Sequence, residues 1–213
     1  MLTYVLIVVF FLQIENLDLS RNELTQLPQT LFSFFENIIV LNLSFNKISF
    51  IHNYAFIRAS NLEILDLSNN LISSLSEISS FIGSLNKLKI LRLSGNPLKN
   101  LGETDDQILY SDSLLQLDVS RCQINHVQGA LVFRSLVNLI SVNLSENLLT
   151  RIEGIFSNSL ELLDLSENEI QFLRPDSFDN LRRLQELRIF NNERLTDQYT
   201  RVSSLSLSHL DAS

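Results

Sequence analysis

One eleven-residue pattern, restarting at nearly constant spacing, constrains this chain more than any other feature. Ile14-Glu-Asn-Leu17-Asp-Leu19-Ser-Arg-Asn22-Glu-Leu24 has the form L-x-x-L-x-L-x-x-N-x-L. The pattern restarts at Ile38, Leu62, Leu88, Leu114, Leu139 and Leu160, and in weaker form at Leu184. Successive starts lie 24, 24, 26, 26, 25, 21 and 24 residues apart. A fragment beginning at Val202, only 18 residues after Leu184, opens a ninth copy out of step with the others. A period of this size means stacked units, none of which can bury its apolar face alone.

Within each copy Leu17 and Leu19 alternate with Asn16 and Asp18, the period of a short strand buried on one side. Stacking lays these strands side by side and parallel. The Asn position turns the chain inward after the strand, where a side-chain amide can bond backbone groups that would otherwise be buried without partners. That position reads Asn22, Asn46, Asn70, Asn96, Cys122, Asn147, Asn168 and Asn192. The pattern admits Cys there, so Cys122 reads as structural rather than as a reactive thiol.

The second half of each copy carries an apolar residue (Leu27, Ile51, Leu75, Leu101, Val127, Ile152, Leu173). A phenylalanine then usually follows: Phe32, Phe56, Phe81, Phe133, Phe156 and Phe178. Stacked, these predict a buried aromatic spine with edge-to-face contacts. The fourth copy lacks the phenylalanine and carries Gly102–Gln107 instead, which reads as a solvated loop. Its carboxylates Glu103, Asp105 and Asp106 lack the spacing of a calcium loop.

The chain has 213 residues, of which 45% are hydrophobic and 19% charged, enough to bury a core. Its net charge of -8 sets nucleic acid aside as a partner. A lone cysteine leaves the redox compartment unread, and His52, His126 and His209 are too scattered for a metal site. No Gly-rich phosphate loop, metal cluster or nucleophile signature appears, so neither an enzyme nor a bound cofactor is expected. The many serines recur at the seventh position of the pattern, which is a structural rhythm.

The run L-D-L-S-x-N…I…F…L, as in Leu160–Leu184, resembles the typical class of animal leucine-rich repeats. That class includes ectodomains of Toll-type receptors, chaoptin-like adhesion proteins and related secreted matrix proteins. The likeness covers residues 14–195. It implies an α/β-type repeat solenoid: a horseshoe with a parallel concave β-sheet and a convex side of irregular, turn or short helical structure. It also implies protein binding, but it does not choose among those proteins, because the matching residues are scaffold. Cysteine-rich caps, which flank many extracellular members, are absent from this sequence, and the chain starts and stops close to its repeats. That reads as a fragment or a sequence lacking its ends. Uncapped ends would favour self-association.

Three segments follow: an apolar stretch at 1–13, the solenoid at 14–201 in about eight repeats, and a partial repeat or truncated tail at 202–213. Leu2–Leu12 is too short to span a bilayer. It reads either as a signal-peptide core or as a capping strand on the first repeat. Asn42-Leu-Ser44 and Asn143-Leu-Ser145 are N-glycosylation sequons, although the repeat consensus generates them easily. Together with the repeat class they point to an extracellular or membrane-attached location. A cytoplasmic scaffold or regulatory subunit and a self-associating array are the alternatives.

Alternation turns two columns of strand residues outward. Val40, Ile64 and Ile90 would form an exposed apolar stripe on adjacent strands, with Phe45, Asp66 and Arg92 beside it. An apolar stripe rimmed by charge suits a protein ligand or cell-surface partner.

Overall fold

The computed structural model describes residues 13–29, 31–102, 104–128, 132–152, 157–173, 177–195 and, for the backbone, 209–211. The apolar segment 2–12 and Phe156 lie outside them. The architecture is the expected parallel-strand solenoid. Its nine-stranded sheet is formed in chain order. The strands are β1 (Asn16–Asp18), β2 (Val40–Asn42), β3 (Ile64–Asp66), β4 (Ile90–Arg92) and β5 (Gln116–Asp118). They continue with β6 (Ser141–Asn143), β7 (Leu162–Asp164), β8 (Glu186–Arg188) and β9 (His209–Asp211). Every neighbouring pair is parallel, with equivalent pattern positions opposite each other, such as Leu41↔Leu65↔Leu91.

The last strand corrects the sequence register. β9 pairs Leu210 with Leu187, so the ninth coil runs in a frame starting at Leu207 rather than at Val202. This restores a 23-residue step, near the spacing of the other coils.

The pattern's leucines fill the interior. Leu41, Leu43, Leu65, Leu67, Leu91 and Leu93 are fully buried, each stabilising by about 2 kcal/mol relative to exposure. The convex side is mostly turn. Gln26–Leu27 pairs with Phe50–Ile51, and Asn100–Leu101 with His126–Val127, as short parallel bridges. Between them the third coil, longer by two residues, forms helix α1 (Ser76–Ile82) instead. There the Ile51 N–H donates to the Glu77 carboxylate rather than to a strand. Among the described residues no helix is long and apolar enough to cross a membrane.

The aromatic spine is present, but its first contacts are not edge-to-face. Phe32 and Phe56 stack nearly parallel, 5.4 Å apart at 7°, and Phe56 meets Phe81 tilted, at 4.7 Å and 54°. One coil repeat brings successive rings almost into translation, which favours stacking over a T-shape. In the fourth coil no phenylalanine follows, and Leu109 is the buried apolar residue of that stretch.

The asparagine ladder is the second internal support. The Asn70 side-chain amide donates to Leu67 O in its own coil and to Leu43 O in the coil before, each at 3.0 Å. Its Oδ1 accepts from the Ile48 N–H at 2.9 Å. Asn46, Asn96, Asn168 and Asn192 repeat this arrangement. The residue before each ladder position is left-handed: Arg21, Phe45, Asn69, Gly95, Arg121, Glu146, Glu167 and Asn191. Seven of these eight are not glycine, at about 1 kcal/mol each. Each of the first seven is held there by its N–H, which donates to a carbonyl of the next coil, as Phe45 does to Ser68 O at 2.9 Å.

Cys122 interrupts the ladder. Its Sγ lies 3.2 Å from both Leu93 O and Ser120 O, so its single S–H is shared between the carbonyls that an amide would bond with two protons. It offers no carbonyl oxygen, so the Leu98 N–H folds back onto Asn96 O at 2.9 Å. Lys99 and Gln123 both become left-handed, the only described non-glycine residues to do so away from the ladder turns. Burial pushes the thiol pKa up to about 12, which leaves it protonated and inert at neutral pH. Cys122→Asn would supply the missing acceptor. The expected gain is about 1 kcal/mol, read as a raised urea midpoint with an unchanged slope.

Candidate functional site

The outward face of the strands is built by the same alternation that fills the core. At the fifth pattern position stand Asp18, Asn42, Asp66, Arg92, Asp118, Asn143, Asp164 and Arg188. The six Asp and Asn residues share one job: their Oδ1 accepts the N–H of the serine two residues on, at 2.8–3.0 Å. This bond satisfies a donor just past the strand end. At Asp18 it also holds the carboxyl below its ordinary pKa, through the Ser20 hydroxyl and N–H. Asn42 and Asn143 make the bond as well as the aspartates do. The turn therefore requires the oxygen and not the charge.

Val40, Ile64 and Ile90 lie directly opposite one another on β2, β3 and β4. They are half-buried rather than freely exposed, because strand neighbours cover their flanks. Asp66 and Arg92 lie in register beside them, and both are half-buried. Arg92 sits between Asp66 and Asp118 yet makes no ion pair among the described residues. Arg188, in the equivalent place, is paired with Glu186 at 2.6 Å and Asp164 at 3.4 Å. Phe45 is not on the strand. It occupies the left-handed turn beyond β2, 47% exposed, with the Arg21 guanidinium 4.5 Å above its ring.

Two apolar residues of this face were missed by reading alternate strand positions alone. Leu115 is half-buried and Ile140 is 39% exposed, both at the second pattern position. Their backbones extend the ladder beyond the strands, with the Ile140 N–H donating to Leu115 O at 2.8 Å. The signal was available: Ile39, Leu115 and Ile140 are apolar where Glu15, Glu63 and Glu161 occur in other copies.

Other sequence candidates resolve separately. Glu103 lies outside the described residues, and Asp106 accepts a hydrogen bond from the Thr104 hydroxyl. Among the described residues no group of three His, Cys, Asp or Glu side chains is placed to hold a metal.

A leucine-rich repeat family model matches residues 13–72 and 153–193, and a two-copy leucine-rich repeat model matches residues 60–105. The chain belongs to the leucine-rich repeat family. Its resemblance to Toll-type receptor ectodomains extends to a solved structure, that of TLR13 in complex with ssRNA13. The two share a TM-score of 0.69 and 26% identity over 93% of this chain and 32% of that one. The chain thus spans about a third of that protein's length. In leucine-rich repeat terms, the face just described is the concave sheet of the horseshoe.

Proposed function

We propose that the chain is a non-enzymatic recognition module of an extracellular or cell-surface receptor or adhesion protein, binding another protein through its concave sheet. The observation that carries this is the in-register stripe Val40, Ile64 and Ile90, accompanied by an Arg92 that makes no ion pair among the described residues. Interior leucines hold the strands rigidly, so binding needs little reorganisation of the backbone. The extracellular reading draws on the family resemblance and the two sequons. Glycans on Asn42 and Asn143 would flank the sheet centre and leave Ile64, Asp66, Ile90 and Arg92 as the contact zone.

The test is flow-cytometric binding of the purified, fluorescently labelled chain to intact cells from the tissue that expresses it. Ile64→Asn with Ile90→Asn should reduce binding at least tenfold, about 1.4 kcal/mol. Tyr54→Ser with Ile57→Ser, exposed outside the sheet, should leave it unchanged. Equal binding by the folded sheet variant would remove the proposal. A mobility shift on glycosidase treatment of the native protein tests the sequons and with them the compartment.

A further inference from the structure

The concave face is more acidic than the fold requires. Its fifth-position column carries Asp18, Asp66, Asp118 and Asp164 against Arg92 and Arg188. The second and third positions add Glu15, Glu63, Glu161 and Glu186 against Lys89. On β1–β8 and the residues just before them that is eight carboxylates to three cations, whereas the whole chain has 24 to 16. Two of the three cations are neutralised internally, Lys89 by Glu63 at 2.8 Å and Arg188 by Glu186 and Asp164. Among the described residues Glu15, Asp18, Asp66, Asp118 and Glu161 make no ion pair within 4 Å; Arg92 stands among them on the sheet, and Arg121, itself paired with Glu146, acts on Asp118 from the turn beyond.

The turn chemistry does not explain this bias. Asparagine accepts the same backbone N–H at Asn42 and Asn143 that aspartate accepts at Asp66 and Asp118, although Asp118 Oδ1 also takes the Ser120 hydroxyl at 2.7 Å, a bond an amide oxygen can equally accept. The charges of Asp66 and Asp118 are therefore surplus to the scaffold. They stand on either side of Arg92 across adjacent strands about 4.8 Å apart, next to the apolar stripe.

We infer that the partner of the concave sheet is a cationic polypeptide surface, whose lysines or arginines meet Asp66 and Asp118 while apolar side chains cover Ile64 and Ile90. The inference rests on the concave-face reading above. Single-stranded RNA, present in the TLR13 structure, carries the wrong charge for this face: its phosphates would meet a sheet with more carboxylates than cations among the described residues.

The test uses the whole chain and two fluorescent probes, a short lysine–leucine peptide and a single-stranded RNA oligonucleotide, titrated at low and physiological salt. The peptide should bind, more weakly as salt rises. Asp66→Asn with Asp118→Asn should weaken it about fivefold, since two exposed charge pairs are removed while the turns are kept. Asp105→Asn with Asp112→Asn, the same charge change on exposed residues outside the sheet, should change it less than twofold. Arg92→Gln should tighten peptide binding by removing the cation that stands between Asp66 and Asp118 on the sheet. Equal loss in both aspartate pairs would reduce the effect to net charge and overturn the inference. So would tighter binding of the RNA than of the peptide. Loss with Ile64→Asn and Ile90→Asn but not with Asp66→Asn and Asp118→Asn would overturn it while leaving the concave face as the site.

Discussion

Asn147→Ala is expected to destabilise the solenoid by about 4 kcal/mol, because it strands several buried backbone groups at once. The Asn147 amide donates to Val119 O, Leu144 O and Ser145 O at 2.9–3.2 Å. Its Oδ1 accepts from the N–H groups of both Cys122 and Ile124, at 2.9 and 3.0 Å. Alanine removes all five bonds and leaves a space too enclosed for water to replace them easily, since Asn147 is only 4% exposed. For a chain of this size that is a fall in melting temperature of about 10 °C. Urea titration by circular dichroism gives the free energy directly. A loss below about 1 kcal/mol would show that the ladder is tied to the fold only weakly. Asn22→Ala should matter far less, because Asn22 is exposed and its bonds to Leu19 O and Ser20 O stay within its own coil.

Phe56→Ala is expected to cost about 4 kcal/mol, by leaving a cavity in the middle of the aromatic spine. Phe56 is 1% exposed and touches a ring on each side, Phe32 and Phe81. The loss combines lost burial with two broken ring contacts. Phe56→Leu keeps most of the volume and should cost clearly less. Differential scanning calorimetry on both variants separates these contributions. Equal losses would mean that the rings contribute shape and nothing further from their stacking.

The strands and ladder were legible because their signals are local and repeated. Each three-residue strand falls at the same place in its copy, and seven asparagines and one cysteine occupy the turn that the pattern assigned them. The ninth strand was misplaced because Val202, Leu205 and Leu207 offer an alternation as good as that of Leu207 and Leu210. Only pairing with Glu186–Arg188 decides between them. Ring geometry in the spine depends on coil-to-coil translation, which the residue string does not carry. The half-burial of Val40, Ile64 and Ile90 has the same origin: alternation tells which side of a sheet a residue faces, not how closely its neighbours crowd it. Leu115 and Ile140 escaped because they precede the strands, where alternation gives no guide.

The missing oxygen at Cys122 bears on how the molecule comes apart. In a stack whose members touch only adjacent members, strength is set joint by joint. The contact between the fourth and fifth coils lacks one acceptor and strains Lys99 and Gln123, and the spine loses its ring in the coil beside it. Failure of this array is therefore expected to start in the middle, separating a leading block with Phe32, Phe56 and Phe81 from a trailing block anchored by Asn147 and Asn168. That seam passes between Arg92 and Asp118, so a partner gripping both would act as a splint across the weakest joint of the scaffold that presents it.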